Sequence, residues 1–353
     1  MKLLVTGGAG FIGSAFVRLL LNSADSPRVV NLDKLTYAGN LENLEAVAAK
    51  PNYRFVHGDI CDAALVDAVL SEEKPDVMVH FAAESHVDRS IFSPSASFET
   101  NLRGTFTLLE AARAHQVPRL VHISTDEVYG SLEAPLEADE TFPLNPSSPY
   151  SASKAGSDLL ARSYFTTYKL PVVITRASNN YGPYQFPEKL LPLMISNALE
   201  GRPLPVYGDG QQVRDWLYVD DHCGAIRAVM EKGREGEIYN IGGSRSLPNL
   251  EVVRKILAAT GASDDLIRYV VDRPGHDRRY ALSSAKLMRE TGWAPQTTFE
   301  EGLAHTIDWY RGNRAWVERV KSGEYRNYYA RNYDDRDREL RKTGTATRPV
   351  PEN

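Results

Sequence analysis

Short apolar runs alternate with longer amphipathic segments through about the first 180 residues of this chain. The apolar runs, rich in Val, Ile and Leu, predict buried strands at Lys2–Thr6, Val29–Asp33, Tyr53–His57, Val77–Phe81, Leu120–Ser124 and Val172–Arg176. The amphipathic segments between them predict helices at Phe11–Leu21, Ala63–Leu70, Phe98–His115 and Tyr150–Tyr168. Repeated alternation of strand and helix indicates the α/β class, with a doubly wound parallel sheet covered by helices on both faces.

The second half of the chain has a different pattern, in which turns separate shorter elements. The turns are indicated at Tyr181–Tyr184, Gly201–Pro205 and Tyr207–Gly210. We expect residues 181–330 to form a smaller C-terminal lobe that binds a second ligand and is partly interleaved with the first domain. That first domain, residues 1–180, is also expected to receive part of 213–245. The charged residues 331–353 lack an apolar face, which predicts a mobile tail.

The composition is that of a folded domain, with 42% apolar and 25% charged residues, which excludes wholesale disorder. A net charge of −5 argues against a protein that binds nucleic acid through a basic surface. Cys61 and Cys223 are too few for a disulfide framework or a four-ligand zinc site, so we expect reduced thiols and no metal. The short apolar run at the N-terminus and the lack of about 18 consecutive apolar residues predict a cytoplasmic protein without a membrane segment.

Three glycines, Gly7, Gly10 and Gly13, fall between the first predicted strand and the first predicted helix. Glycines there allow a tight turn, close approach of backbone N–H groups to a pyrophosphate, and close packing of helix on strand, as in the Rossmann fold. A glycine turn alone is a weak signal, but this one has the strand and the helix that the motif requires. The chain is therefore expected to bind a dinucleotide.

Acidic residues after the next two strands refine the choice of cofactor. Asp33 ends the second strand, about 20 residues beyond the last glycine. A carboxylate there accepts hydrogen bonds from the adenosine ribose and repels a 2′-phosphate, which favours NAD over NADP. The alternative is a solvated carboxylate at a strand end. Asp59 follows the third strand, where it either caps the adenine or serves as a helix N-cap.

Tyr150 and Lys154 lie one helical turn apart at the start of the fourth predicted helix, so both reach one face. Of the 18 tyrosines, only Tyr150 is followed by a lysine four positions later. Lowering a tyrosine pKa from about 10 to about 7 takes about 4 kcal/mol, which one positive charge about 4 Å away supplies in a partly screened site. We expect Lys154, with an oxidised nicotinamide, to favour the Tyr150 phenolate. The alternative is an amphipathic helix that carries both residues incidentally.

The fifth strand is followed by Thr125, Asp126 and Glu127. Ligands of open α/β sheets bind beyond the carboxyl ends of the strands, where these side chains fall. Two adjacent carboxyl groups are costly to bring together unless one is protonated, and a pair with separated pKa values can supply a general acid and a general base. If Asp126 and Glu127 are considered without their neighbours, they could equally belong to a polar turn that has no catalytic role. With Tyr150 nearby in the expected fold, we favour a catalytic pair.

Several longer motifs together resemble those of the extended short-chain dehydrogenase/reductase family, and within it those of the sugar-nucleotide 4,6-dehydratases. The motifs are Thr6–Ser14, Asp33–Asn40, Phe81–Ser90, Ser124–Gly130, Tyr150–Lys154, Asn179–Pro183, Arg214–Trp216 and Asp272–Asp277. The resemblance spans about residues 1–330 and assigns no role to the chain after Asn332. The glycine turn and the Tyr–Lys pair identify only the larger family, whereas Thr125-Asp126-Glu127 separates dehydratases from epimerases.

The resemblance implies a reaction in which dTDP-glucose loses water to give a 4-keto-6-deoxy sugar, while bound NAD stores a hydride. Tyr150, supported by Lys154, would take the proton of the C4 hydroxyl, to which Thr125 would hydrogen-bond. Glu127 would remove the C5 proton, and Asp126 would protonate the departing C6 hydroxyl. Each positioned acid or base typically contributes about 10² to 10⁴ in rate.

The resemblance also implies which residues contact each ligand. Matches to cofactor-contacting positions are Gly7, Gly10, Phe11, Ile12, Gly13, Asp33, Lys34, Leu35, Thr36, Asp59, Ile60, Ala82, Ala83, Thr100, Tyr150, Lys154 and Asn180. Matches to substrate-contacting positions are Ser85, Thr125, Asn179, Lys189, Leu190, Pro205, Tyr207, Arg214, Asn249, Arg273 and His276. Arg214 and Arg273 suit a pyrophosphate, since guanidinium forks match phosphate oxygens, although without the resemblance they would be interpreted as surface arginines.

The resemblance further implies a homodimer, in which two long helices of each subunit form a four-helix bundle. Phe98–His115 and Ser151–Tyr168 are the candidates, although their apolar positions also suit the core of a single chain. Two other functions stay open. One is a different NAD-dependent sugar-nucleotide enzyme, such as a 4-epimerase, a UDP-glucuronate decarboxylase or a dehydratase for another nucleotide. The other is a catalytically silent NAD-binding regulator, which would be expected to lose Tyr150, Lys154 or the carboxyl pair.

Overall fold

The structure is a computed structural model that describes residues 1–243 and 245–322 together with Tyr329, Tyr333 and Leu340. Its strands are β1 Lys2–Thr6, β2 Arg28–Asp33, β3 Tyr53–His57, β4 Val77–His80, β5 Leu120–Thr125, β6 Val172–Ala177, β7 Asn179–Tyr181, β8 Leu204–Tyr207, β9 Val213–Tyr218, β10 Ile238–Ile241, β11 Arg245–Pro248 and β12 Ile267–Val270. Its α-helices are α1 Phe11–Asn22, α2 Glu45–Ala48, α3 Ala63–Glu73, α4 Val87–Phe92, α5 Pro94–Ser97, α6 Thr105–Ala114, α7 Pro149–Tyr168, α8 Leu190–Glu200, α9 Val219–Lys232, α10 Asn249–Thr260, α11 Ala285–Thr291, α12 Phe299–Gly312 and α13 Arg314–Val320. None of the helices in this part of the chain combines the length and the apolar character needed to cross a membrane.

In the described part of the chain, seven strands form a parallel sheet in the order β10-β6-β5-β4-β1-β2-β3. The chain runs outward from β1 to β3 and then crosses to β4 on the other side of β1. Because the two directions diverge between β1 and β4, the carboxyl ends of these strands open a crevice, the usual ligand site of such sheets. The predicted doubly wound parallel sheet is confirmed, and its six predicted strands begin and end within one residue of the expected positions.

Helices cover both faces of the sheet, because its strands carry apolar side chains on both faces and these must be buried. On one face α1 and α9 pack against the sheet through side chains such as Phe16, Leu20 and Ile226. On the other face α3, α6 and α7 contribute side chains such as Leu70 and Leu108. Burial of apolar surface on both faces contributes most of the favourable free energy that stabilises such a layered core.

The helix predicted over Phe98–His115 is α6 preceded by a π-helical stretch, Phe98–Gly104. The two helical forms follow each other without a break, so the apolar pattern still shows one amphipathic segment. A π turn contains about one residue more than an α turn, and the spacing of apolar residues in the sequence does not distinguish the two. π-helical turns often occur at functional sites.

The second lobe is built around a three-stranded sheet, β11-β9-β7, and a two-stranded sheet, β12-β8. Its core includes Tyr181, Trp216, Phe299 and Ile307, packed among α8, α10, α12 and α13. The chain between the two lobes is interleaved: β9 lies in the three-stranded sheet, whereas α9 and β10 lie with the large sheet. The predicted mobile tail, residues 331–353, lies outside the described residues except for Tyr333 and Leu340.

Candidate active site

A cavity of about 320 Å³ opens at the carboxyl ends of the central strands and brings together most residues predicted to contact the cofactor. Those on its wall are Gly7, Gly10, Phe11, Ile12, Gly13, Asp33, Lys34, Thr36, Asp59, Ile60, Ala82, Ala83, Thr100, Tyr150, Lys154 and Asn180. Leu35 is the exception, because its side chain packs against the core. Its backbone N–H instead donates to Oδ1 of Asp33 at 2.8 Å.

Close backbone approach explains the glycines of the turn between β1 and α1. Gly7 has a φ of +72°, and a Cβ there would lie 2.5 Å from the backbone nitrogen of Ala82. A Cβ on Gly13 would lie 2.2 Å from the carbonyl oxygen of Gly7, so any side chain would push α1 away from the sheet. Gly10 is the N-cap of α1 and provides no side-chain cap. The first N–H groups of α1 therefore suit an anionic pyrophosphate.

Asp33 is fixed at the end of β2 by two backbone N–H groups, those of Ala9 at 2.9 Å and Leu35 at 2.8 Å. Burial raises the pKa of its carboxyl, and these hydrogen bonds offset part of the effect. Each carboxylate oxygen keeps a further lone pair, so the group can still accept hydrogen bonds from ribose hydroxyls. The cradle of N–H groups and this carboxylate fit NAD.

Asp59 is not a helix N-cap, since the side chain of Asp62 caps α3. Asp59 instead pairs with Lys34 at 2.7 Å and accepts a hydrogen bond from the backbone of Cys61 at 2.9 Å. Both members of the Asp59–Lys34 pair line the cavity. The structure thus excludes the N-cap interpretation, and a contact of Asp59 with adenine stays a prediction.

Tyr150 is held at the start of α7 by local sequence. Ser148 and Ser151 form a capping box around Pro149, which occupies the first helical position. The backbone N–H of Tyr150 donates to the hydroxyl of Ser90 at 3.1 Å, which fixes the helix start against α4. These contacts place the tyrosine ring on the cavity wall.

Lys154 lies one turn further along α7 and donates from Nζ to the carbonyl oxygen of Ile123 at 2.8 Å. Burial lowers the pKa of Lys154 to about 8. Burial also raises the pKa of Tyr150, the charge of Glu127 adds to that shift, and a hydrogen bond with Thr125 offsets part of it. The expectation that Lys154 together with an oxidised nicotinamide favours the Tyr150 phenolate stays a prediction.

Asp126 and Glu127 begin a short 3-10 helix, Asp126–Tyr129, directly after β5. Asp126 is 3% exposed, and burial raises its pKa well above the usual range, with a further contribution from the charge of Glu127. The hydroxyl of Thr125 donates to Oδ1 of Asp126 at 3.2 Å, whereas Oδ2 has no hydrogen-bond partner among the described residues. A buried carboxyl group whose pKa is raised thus lies beside a less buried one.

A buried polar group on the inner side of α7 is a feature that sequence reasoning missed. Asp158, one turn after Lys154, pairs with Arg176 of β6 at 2.8 Å, and Arg176 donates to the hydroxyl of Tyr129 at 2.9 Å. Burial opposes ionisation of Asp158, but a hydrogen bond with His122 and the charge of Arg176 lower its pKa to about 2. The signal that could have found Asp158 is its spacing of one turn from Lys154 on the same helix.

The π-helical stretch also carries a residue that sequence reasoning missed. Asn101 accepts a hydrogen bond from the backbone N–H of Glu84 at 2.8 Å and donates to its carbonyl oxygen at 2.9 Å. The same amide donates to the hydroxyl of Ser153 in α7 at 2.9 Å. Asn101 therefore ties the segment after β4 to the helix that carries Tyr150, while its neighbour Thr100 lines the cavity.

A second cavity, of about 130 Å³, adjoins the first, and Glu127, Asn179 and Lys189 line both. The predicted substrate residues on its wall are Asn179, Lys189, Leu190, Pro205, Tyr207, Arg214, Asn249, Arg273 and His276. The remaining two, Ser85 and Thr125, line the first cavity. The structure thus places all predicted substrate-contacting residues around two adjoining spaces.

Arg214 and Arg273 are not surface arginines. Arg214 is buried, stacks on the ring of Tyr280 with its guanidinium carbon 4.3 Å from the ring centroid, and donates to the carbonyl oxygens of Val213 and Asp277. Arg273 lies 3.7 Å from a carboxylate oxygen of Asp88 and has Nε without a hydrogen-bond partner among the described residues. Two guanidinium groups on one cavity wall suit a diphosphate.

Two carboxylates hold the predicted substrate residues in place, and neither was found from the sequence. Asp88 accepts a hydrogen bond from the hydroxyl of Tyr207 at 2.7 Å and also faces Arg273. Asp272 lies 2.5 Å from Nδ1 of His276, within hydrogen-bonding distance. Asp88 comes from a distant part of the chain, so only the fold brings it to Tyr207 and Arg273, whereas Asp272 is four residues from His276.

Comparison with known proteins agrees with this geometry. The family model that matches residues 4–306 is described as GDP-mannose 4,6 dehydratase. The dTDP-glucose 4,6-dehydratase of Shigella flexneri is 52% identical and aligns with 95% of this chain and 100% of its own. That of Neisseria meningitidis serogroup B is 54% identical and aligns with 92% of this chain and 97% of its own.

Solved structures show the same relationship. One is the crystal structure of dTDP-glucose 4,6-dehydratase from Streptomyces venezuelae, which has NAD and a second ligand bound. It superimposes on this chain with a TM-score of 0.88 and is 56% identical in sequence. The match covers 91% of this chain and 100% of the other. UDP-glucose 4-epimerase from Thermus thermophilus, in complex with NAD, has a TM-score of 0.83 but 35% identity, and covers 89% of this chain and 100% of its own. The chain therefore belongs to the GDP-mannose 4,6 dehydratase family, and within it to the dTDP-glucose 4,6-dehydratases.

Proposed function

We propose that this protein converts dTDP-glucose into dTDP-4-keto-6-deoxy-glucose and water, with NAD as its cofactor. The observation that carries this function is the meeting of Tyr150 and Lys154 with the carboxyl pair Asp126 and Glu127 in one cavity. A Tyr–Lys pair suffices to oxidise a hydroxyl with a nicotinamide. Elimination of water needs a base and an acid in addition, and the carboxyl pair can supply both.

The first cavity would hold NAD through the chain's own donors and acceptors. The N-terminus of α1 and the glycine turn would meet the pyrophosphate, and Asp33 would accept hydrogen bonds from the adenosine ribose. Tyr150 and Lys154 would lie at the nicotinamide end. When bound, NAD would accept a hydride from C4 of the hexose and return it to C6, and its positive ring would favour the Tyr150 phenolate.

We assign removal of the C4 hydroxyl proton to Tyr150. Burial opposes the phenolate, so its formation depends on positive charge at this end of the cavity. Lys154 supplies one such charge from a fixed position, since its Nζ is hydrogen-bonded to the carbonyl oxygen of Ile123. Thr125, which hydrogen-bonds with Tyr150, would contact the same C4 oxygen.

We assign the elimination to Glu127 and Asp126. A carbonyl at C4 acidifies the neighbouring C5 proton, which brings it within reach of the Glu127 carboxylate. Burial raises the pKa of Asp126, which favours its protonated form, and in that form it would give its proton to the departing C6 hydroxyl. The different surroundings of two adjacent carboxyl groups thus separate the acid from the base.

Conversion of dTDP-glucose in deuterated water tests this function against its alternatives. We expect a product lighter by one water that carries solvent deuterium at C5. A product of unchanged mass would instead indicate an epimerase, for which the resemblance to the Thermus thermophilus enzyme is the supporting observation. Equal inactivity of the unmodified protein and Tyr150→Phe on a panel of nucleotide sugars would favour a silent NAD-binding regulator.

We also propose a homodimer formed through a four-helix bundle and a location in the cytoplasm. Large apolar side chains are exposed on adjacent helices, with Phe106 of α6 48% exposed and Leu159 of α7 57% exposed. Because α6 and α7 pack side by side within the chain, a two-fold related copy would complete a bundle of four helices. The cytoplasmic location is supported by Cys61 and Cys223, which are both free thiols.

A further inference from the structure

Tyr37 lies beside the first cavity, in the segment that follows β2. The residues around it that line this cavity are Lys34, Thr36, Ala38 and Gly39. Those that the second lobe contributes just before α8 are Gln185, Phe186, Glu188 and Lys189. Tyr37 itself lines neither cavity, so any role it has at the site acts through these neighbours.

The side chain of Tyr37 connects these two stretches of the cavity wall. The guanidinium carbon of Arg89, in α4, lies 3.6 Å from the centroid of the Tyr37 ring. The ring of Phe186 meets the Tyr37 ring edge-on, with centroids 5.6 Å apart and planes inclined by 82°. The hydroxyl of Tyr37 hydrogen-bonds to the carboxyl group of Glu188. We call these four residues, Tyr37, Arg89, Phe186 and Glu188, the clasp.

The clasp is a closed set of contacts between the lobe of the large sheet and the second lobe. Arg89 pairs with Glu188 at 3.1 Å, and the Glu188 side chain is only 2% exposed. Separation of the lobes would therefore take both Tyr37 and Arg89 away from a buried carboxyl group, which is costly. A second contact of the same kind lies nearby, because the guanidinium carbon of Arg18 in α1 is 4.3 Å from the centroid of the Tyr184 ring.

The proposed reaction gives such a closure a purpose. The coenzyme takes a hydride from the sugar and returns it to the same sugar molecule, so NAD need not be exchanged between turnovers. Release of NADH halfway would leave the sugar oxidised and the protein without its coenzyme. A cavity that keeps the coenzyme in place therefore suits this reaction, whereas an enzyme that ends each cycle with NADH has to release it.

We propose that Tyr37 is a positioning residue that holds the two lobes together beside bound NAD and thereby slows release of the coenzyme. The inference rests on the proposed function, because it takes NAD as a coenzyme that stays bound through the cycle. Tyr37 acts through the two stretches of cavity wall that it connects. It therefore controls how often the cavity opens and leaves the chemical step of an NAD-loaded site unchanged.

The rate at which the NAD-loaded protein exchanges bound NAD for isotopically labelled NAD tests the proposal. Tyr37→Leu removes the ring and the hydroxyl, and Tyr37→Phe removes the hydroxyl alone. Arg319→Met is the matched control, because Arg319 of α13 forms an exposed ion pair with Glu42 between the same lobes and lines neither cavity. We expect release to be about ten-fold faster or more in Tyr37→Leu and about three-fold faster in Tyr37→Phe. Release from Arg319→Met should match that from the unmodified protein.

Turnover of dTDP-glucose separates retention of the coenzyme from the chemical step. In excess NAD, Tyr37→Leu should have the kcat of the unmodified protein. Without added NAD, its activity should decline during turnover and return when NAD is supplied. A kcat that is lowered to the same extent with and without added NAD would contradict the proposal, because Tyr37 would then affect the chemistry.

Hydrogen exchange of the NAD-loaded proteins, followed by mass spectrometry, shows whether Tyr37 holds both stretches. Peptides that cover residues 34–40 and 184–189 should both exchange faster in Tyr37→Leu than in the unmodified protein. Faster exchange in residues 34–40 alone would overturn the inference, because a local change in that segment would then explain the loss of NAD.

Tyr37→Phe decides the question even if Tyr37→Leu does not fold, since phenylalanine fits the space of tyrosine. Release of NAD from Tyr37→Phe at the rate of the unmodified protein would also overturn the inference. If the unmodified protein bound no NAD, the proposed function and the inference would both fail. If it held NAD but removed no water from dTDP-glucose, only the proposed function would fail, because the rate of NAD release still measures the clasp.

Discussion

Burial shifts the proton affinities of the catalytic residues in opposite directions. It raises the pKa of Asp126 and of Tyr150, and it lowers the pKa of Lys154. The directions differ because burial disfavours the charged form, which is the deprotonated form of a carboxyl or phenol and the protonated form of a lysine. Burial in this one cavity thereby favours the protonated form of Asp126 and makes the charge on Lys154 sensitive to alkaline pH.

Asp126→Asn removes this proton donor and keeps the size of the side chain. We expect kcat to fall about 10² to 10⁴-fold, the usual contribution of a positioned general acid. The C5 proton should still exchange with deuterated solvent, because Glu127 and the oxidised C4 remain. Mass spectrometry follows both product formation and exchange, and Asp139→Asn, an exposed carboxylate, is the control. Loss of C5 exchange along with turnover would contradict separate roles for the two carboxyl groups.

The pH profile reports on Lys154. Because burial lowers its pKa to about 8, the charged form is present below about pH 8 and is lost above it. We expect kcat to fall as the pH rises through that value. Lys154→Arg keeps its charge to higher pH, so its alkaline limb should move upward even though kcat is lower. A limb at the same pH in both proteins would show that another group causes it.

At the scale of elements, the strands of the large sheet could be predicted because burial on both faces demands short, continuous apolar runs. The glycine turn could also be predicted, since all its glycines lie within one short motif between β1 and α1. The π-helical stretch Phe98–Gly104 could not, because one extra residue per turn leaves the apolar pattern of the segment intact.

The ion pair between Asp158 and Arg176 fixes α7 on β6 and leads to a stability prediction. Asp158→Asn leaves Arg176 buried without its carboxylate, so we expect the free energy of unfolding at neutral pH to fall by about 3 to 5 kcal/mol. The folded pKa of Asp158, about 2, lies below its usual value, so its contribution is present above about pH 4 and is lost as the pH falls towards 2. The difference from the unmodified protein should shrink over that range.

Denaturant unfolding at a series of pH values measures this difference. Asp308→Asn is a suitable control, because Asp308 forms an exposed pair with Arg311 on α12 and should contribute little. A difference that stays constant from pH 7 to pH 2 would show that the amide disturbs packing instead of removing a charge.

At the scale of the whole molecule, residues from distant parts of the chain complete the site. Asp88 follows β4, whereas its partners Tyr207 and Arg273 belong to the second lobe. Neither spacing nor periodicity could predict such contacts, because they exist only after the lobes have folded against each other. The division into an NAD-binding domain, residues 1–180, and a substrate lobe, residues 181–330, stays a prediction.

The proposed dimer gives a prediction about assembly. Phe106→Glu combined with Leu159→Glu places two charges on the exposed apolar face of α6 and α7, which would be buried in a bundle. We expect light scattering to give the mass of one chain, 39.3 kDa, instead of two. Leu136→Glu, at an exposed apolar position outside these helices, should leave the mass unchanged. A double variant with the mass of the unmodified protein would rule out this interface.

The central claim is that one hydride leaves C4 of the hexose and returns to C6 of the same molecule. Incubation of the protein with dTDP-glucose deuterated at C4 tests it most directly, with NMR and mass spectrometry used to locate the label in the product. We predict that the deuterium appears on the C6 methyl group and that a mixture with unlabelled substrate yields no exchange between molecules. A product whose methyl group carries no deuterium would contradict the claim.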